Sequence, residues 1–296
     1  MRLSHGRRLF LVTIAAVITI LTALAAVACG SSDSDNETPT AAASATTAPA
    51  TAAASPTTAP AKGEIIVFAA SSLTDAFKEA AKEFQAKNPE AKVTFNFAAS
   101  SALATQINEG APADVFASAD AAQMAKVTEK GNASAPADFV TNRPTVIVPA
   151  SGSPVTTFAD LAKPGVRLVL AAPEVPIGKY AREVLTKASQ PSTGVSADFS
   201  AKVLDNLKSN EANVRAVLSK VQLGEADAGI VYTTDAAVAA KDVRLVEIPA
   251  AFNVVARYPM ATIKASKNTA GAEAWVAFIA STEGQAIMAK YGFGKP

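Results

Sequence analysis

Beyond residue 63 the apolar positions alternate between two spacings. Residues 64–69 form a short, nearly continuous apolar run, as expected of a buried strand, and residues 73–84 carry apolar side chains at helical intervals. The pattern then recurs. Strand-like runs fall at 92–97, 114–118, 145–149, 167–171, 228–232, 244–248 and 258–264, most of them separated by helical stretches, and helices close the chain at about 270–280 and 283–291. Such alternation predicts an α/β fold with parallel sheets. The segment is longer than one compact lobe usually holds, so two lobes are expected.

The first 62 residues follow another rule. Arg2, Arg7 and Arg8 precede an apolar run over residues 9–28 that ends in small residues before Cys29, the layout of an export signal. Roughly 20 apolar residues also suffice to span a bilayer, which leaves an uncleaved anchor open. Ala26-Val27-Ala28-Cys29 resembles a bacterial lipobox, with Ala26 where leucine is usual. This reading makes residues 1–28 a lipoprotein signal peptide and Cys29 the lipidated first residue of the mature chain. Both readings place the remainder outside the cytoplasm, because the arginines stay inside. Residues 30–62 are almost wholly Ala, Thr, Ser and Pro without an aromatic residue, and a chain of this kind cannot build a core. With Cys29 it makes a tether over 29–62, of roughly 30 Å root-mean-square reach; a glycosylated stalk would have the same consequence.

Charge and composition narrow the function. The 27 Lys and Arg residues, three of them in the signal, stand against 26 Asp and Glu, a balance that disfavours a nucleic-acid partner. The one histidine is His5 and the one cysteine is Cys29. The folded part therefore lacks the residues for Ser-His or Cys-His nucleophiles, imidazole or thiolate zinc sites and disulfides. Carboxylate-only hydrolysis survives on composition, but no paired-acid motif supports it, and the chain is not expected to be an enzyme.

Ligands of open α/β sheets sit where strands end and helices begin, and four such junctions are rich in small polar residues. Ser72 follows the first strand, and with Asp75 it fits a capping box opening the helix. Ser100 follows the second strand in Phe97-Ala98-Ala99-Ser100-Ser101. At the third junction, Val175-Pro176-Ile177-Gly178, the proline fixes the turn into the helix and the glycine lets another group come close to the backbone. At the fourth, Asn213 can cap a helix whose first amides belong to Val214 and Arg215. Each taken alone could be a plain helix start. Together they offer hydroxyls and free N–H groups, which hold an anion without a cationic side chain. Tyr232, ending the strand Gly229-Ile230-Val231-Tyr232, could add a phenolic donor or simply sit at the sheet edge.

The segments Val67-Phe68-Ala69-Ala70-Ser71-Ser72-Leu73-Thr74-Asp75-Ala76, Gly110-Ala111-Pro112-Ala113-Asp114-Val115-Phe116, Gly229-Ile230-Val231-Tyr232-Thr233-Thr234-Asp235-Ala236 and Tyr291-Gly292-Phe293 resemble the bacterial molybdate-binding proteins of ABC importers, and the likeness runs from about residue 64 to 296. The resemblance implies a two-lobed periplasmic-binding-protein fold of the two-crossover kind, each lobe a mixed sheet flanked by helices, with the ligand in the cleft. One lobe would comprise 63–142 with 257–296, the other 143–256. It implies molybdate, or tungstate, as a transported ligand rather than a cofactor, held by Ser72, Ser100, the Ile177 and Val214 amides and Tyr232, with the molybdenum reached by no protein atom directly. It further implies an ABC permease as partner and a monomer working outside the cytoplasm at the membrane face. The third junction departs from the family pattern by one residue fewer before its glycine, which bears on Ile177. A sulfate- or thiosulfate-type receptor is the competing reading.

Overall fold

The computed structural model describes residues 60–296; the signal peptide, Cys29 and all but the end of the tether lie outside the described residues. Two five-stranded mixed sheets carry the fold. In the first, β1 (Gly63–Ala70), β2 (Ala91–Ala98), β3 (Val115–Ala117), β4 (Ala137–Asn142) and β10 (Ala256–Thr262) take the order β2-β1-β3-β10-β4. In the second, β5 (Pro144–Pro149), β6 (Leu168–Ala171), β7 (Leu207–Glu211), β8 (Ala228–Tyr232) and β9 (Val243–Val246) take the order β7-β6-β8-β5-β9. The chain passes from the first sheet to the second through Arg143 alone and returns after β9.

The expectation of parallel sheets is corrected. The β1–β2, β1–β3, β6–β7 and β6–β8 pairs are parallel, but β10 runs antiparallel to β3 and β4, and β5 runs antiparallel to β8 and β9. Apolar spacing reports that a strand exists and not its direction; here direction is reversed in the strands next to the crossings. Two strands carry no apolar alternation and are invisible to that reading. They are the sheet-edge strands β4 and β7, the latter reading Leu-Lys-Ser-Asn-Glu with no fully buried position. Polar edges of this kind keep unpaired backbone from recruiting another chain.

Central strands are apolar on both faces because helices cover both. Ile65, Val67 and Ala69 of β1 are buried on one face and Phe68 and Ala70 on the other. Beside β2 packs α1 (Thr74–Lys87), burying Phe77, Ala80, Ala81 and Phe84, a 3.6-residue stripe, with Phe77 6.2 Å from Phe95 between centroids. Its Phe77 and Phe84 meet Trp275 of α8 (Thr269–Ala280) edge-on, at 5.6 and 5.4 Å between centroids. In the second lobe α4 (Pro176–Ala188) buries Ile177, Ala181, Val184, Leu185 and Ala188 on one face. Gly178 lets α4 approach the end of β6, since a Cβ there would lie 2.0 Å from the Ala172 carbonyl oxygen. The remaining helices used below are α2 (Ser100–Asn108), α3 (Ala121–Thr128), α6 (Val214–Gln222) and α7 (Thr233–Val238).

Candidate anion site between the sheets

The carboxyl ends of β1, β2 and β8, the segment after β3 and the starts of α2, α4 and α6 converge on one small cavity. It is lined by Ala70, Ser71, Ser72, Ala98, Ala99, Ser100, Ala119, Val175, Pro176, Ile177, Val214 and Tyr232. All five residues expected at the site lie on its wall. The cavity is only about 10 Å³, room for about one water-sized group, so an extended ligand has no place in it. A far larger cavity of about 970 Å³ lies at the opposite end of the first sheet, among Gly63, Asp114 and Asn268. It is away from the starts of α2, α4 and α6.

Free donors surround the small cavity for reasons that can be traced residue by residue. Pro176 opens α4 without an N–H, so Ile177 supplies that helix's first free amide. The Asn213 side chain caps α6 as expected, accepting from the Arg215 and Ala216 N–H groups at 2.9 and 3.1 Å, which leaves the Val214 N–H as the uncapped donor. Ser100, almost fully buried, accepts the Ala119 N–H at 2.9 Å through its hydroxyl oxygen, so its own proton remains to be donated. No charged side chain lines the cavity. Attraction for an anion therefore comes from hydroxyl and amide dipoles at helix starts.

Two expectations need adjustment. Ser72 does not cap α1: a turn of 3-10 helix, Ser71–Leu73, precedes that helix, and the Ser72 hydroxyl lies 3.0 Å from the Tyr258 hydroxyl instead. Asp75 is not a capping partner either, since it pairs with Arg215 of α6, with Nη2 2.7 Å from Oδ2. Tyr232 is buried to 1% exposure and its hydroxyl has no hydrogen-bond partner. Burial holds its phenol far above the usual range, so it stays protonated and has a proton to donate. An orphaned buried hydroxyl costs about 1–3 kcal/mol; a bound oxyanion would remove that cost.

Motif spacing left out the supporting residues. Tyr258 on β10 and Asn142 at the end of β4 stand behind Ser72. Arg215 on α6 bonds the fully buried Asp235 of α7 at 2.6 Å through Nε. The Ala119 amide that holds Ser100 follows β3 in another strand, small residue, helix junction, Ala117-Ser118-Ala119-Asp120, a signal the sequence did contain.

Complete burial outweighs the attraction of Arg215 and raises the Asp235 carboxyl to about 6. An acid held above its unfolded value binds its proton more tightly when folded. Its contribution to stability therefore falls as pH rises through about 6 and is greatest below the unfolded value. Relative to Asp235→Asn, the unmodified protein is expected to gain stability as pH drops from 7 to 5. Denaturant unfolding at both pH values checks this, and parallel profiles would contradict it.

Known proteins resemble this chain over most of its length. The sequence profile of the bacterial extracellular solute-binding proteins matches residues 65–294. The molybdate-binding protein ModA of Mycobacterium tuberculosis is 43% identical over 235 residues, covering 78% of this chain and 85% of the relative. Among solved structures, the substrate-binding domain of a putative molybdenum ABC transporter from Clostridium difficile is 34% identical, with a TM-score of 0.59, and covers 79% of this chain and 99% of that one. The periplasmic molybdate-binding protein of Azotobacter vinelandii, at 22% identity, shares the fold with a TM-score of 0.68 and covers 78% of this chain and 99% of its own. By profile, identity over most of its length and fold, this chain belongs to the bacterial extracellular solute-binding proteins, within the molybdate-binding family.

Proposed function

We propose that this protein captures molybdate, and tungstate with it, outside the cytoplasm and delivers it to an ABC permease. The observation that carries the reading is the buried Tyr232 hydroxyl, which has no partner and lines a cavity with Ser72, Ser100 and the first amides of α4 and α6. Tetrahedral oxyanions match this wall because each oxygen accepts from several directions. A wall of donors favours fully deprotonated dianions and penalises hydrogenphosphate, whose proton would find no acceptor.

Binding would proceed by hinge closure. The anion lands on one lobe, 63–142 with 257–296, and the other, 143–256, swings over it; the permease then reads the closed form. In this reading the ligand is cargo, the protein is a monomer without catalytic activity, and the acylated Cys29 holds it at the membrane through the tether. Calorimetric titration of the purified protein with molybdate, tungstate, sulfate and phosphate tests the choice of ion. Molybdate and tungstate are expected to bind at least tenfold more tightly than sulfate, with phosphate weakest. Sulfate binding equal to or tighter than molybdate would transfer the assignment to a sulfate- or thiosulfate-type receptor.

A further inference from the structure

We propose that Tyr258 is a positioning residue for the anion site, fixing with Asn142 the direction in which the Ser72 hydroxyl donates. The inference rests on the oxyanion reading and adds a residue that does not line the cavity. Asn142 stands at the crossing from the first sheet to the second, and its amide orientation is set by its neighbours. Its Oδ1 accepts the Arg143 N–H at 2.9 Å and the Thr233 hydroxyl at 3.1 Å. A backbone N–H cannot accept, so that atom is the oxygen. Its Nδ2 donates to Thr234 Oγ1 at 2.9 Å and reaches Tyr258 Oη at 3.4 Å.

From there the polarity of the chain follows. The Tyr258 oxygen receives a proton from an NH2 group that can only donate, so the phenol's own proton must find another acceptor. Ser72 Oγ, 3.0 Å away and equally buried, is the one in reach. With its lone pair occupied, Ser72 has its own proton to give and the cavity in front of it. The opposite polarity would strand the Tyr258 proton in a buried site and turn a Ser72 lone pair toward an anion, both unfavourable. The Tyr258 ring is itself fixed edge-on between Tyr232 and Phe293, at 5.8 and 5.7 Å between centroids. The relay Asn142 to Tyr258 to Ser72 thus makes Ser72 a donor and not an acceptor, which deepens the discrimination against protonated oxyanions.

A double-mutant cycle on the full chain, read by calorimetry with molybdate, tests it. Tyr258→Phe is expected to weaken binding roughly 3- to 10-fold, a neutral hydrogen bond's worth, in the wild-type background and to change nothing further in Ser72→Ala. It should also narrow the preference for molybdate over phosphate, which loss of packing alone would not do. An equal loss in both backgrounds, or no loss in either, overturns the relay. If Ser72→Ala alone leaves affinity unchanged, the anion-site reading fails and the relay with it, a result distinguishable from failure of the relay alone. Should Tyr258→Phe not fold, Asn142→Ala removes the group that sets the direction and is expected to give the same background-dependent loss.

Discussion

Replacing Ser72 or Ser100 with alanine is expected to weaken molybdate binding by about 1.5–3 kcal/mol, the range for hydrogen bonds to charged groups, or roughly 10- to 150-fold. Both hydroxyls are buried; Ser100 accepts the Ala119 N–H, and Ser72, in the relay proposed above, accepts the Tyr258 hydroxyl 3.0 Å away. The two losses should add only partly, since both serines bond one ligand. Calorimetry on the single and double variants measures this, with thermal unfolding in the absence of ligand as the control for folding. Wild-type affinity in both single variants would remove the serines from the site.

Arg215→Ala is expected to lower the free energy of unfolding by about 3 kcal/mol, because it strips the ionic partner from a fully buried carboxylate. Asp235 has no exposed surface and its close cation is the Arg215 Nε at 2.6 Å. The same guanidinium reaches Asp75 at 2.7 Å, joining α6, beside the second sheet, to α1, beside the first. Its loss should therefore also favour the open form and speed ligand release. The penalty should shrink between pH 7 and pH 5, where Asp235, already raised to about 6 by burial, takes up a proton and no longer needs the cation. Arg215→Lys should fall between, as an ammonium keeps the charge but cannot serve two carboxylates in a fork. Urea unfolding at the two pH values checks both the size and the trend; a variant within about 0.5 kcal/mol of wild type would show the pair to be dispensable.

Much of this was legible in the chain because the physics involved is local. Central strands such as β8, buried at every position, and helices such as α4, with its apolar stripe, announce themselves by spacing. Asn213 caps α6 as its position next to a helical run implies. The site residues were accessible for the same reason: each stands at the end of a strand or the start of a helix. What spacing does not carry is direction and distance. The antiparallel course of β5 and β10, and the polar edge strands β4 and β7, depend on partners far away in sequence. Ser72 looked like a cap because Asp75 stands three residues on, yet its partner Tyr258 is 186 residues away, and Asp75 is engaged by Arg215. Tyr258, Asn142 and Arg215, which hold the site through distant partners, are therefore revealed by the fold and not by spacing.

The most direct test of the account is thermal unfolding of the purified protein alone and with molybdate, tungstate or sulfate at one submillimolar concentration. A ligand at a hundred times its Kd adds about 2.7 kcal/mol, a shift of roughly 5–11 °C for a domain of this size. Molybdate and tungstate are each expected to give such a shift and sulfate little, and Tyr232→Phe is expected to show a reduced molybdate shift. An unchanged transition with all three ions would contradict it.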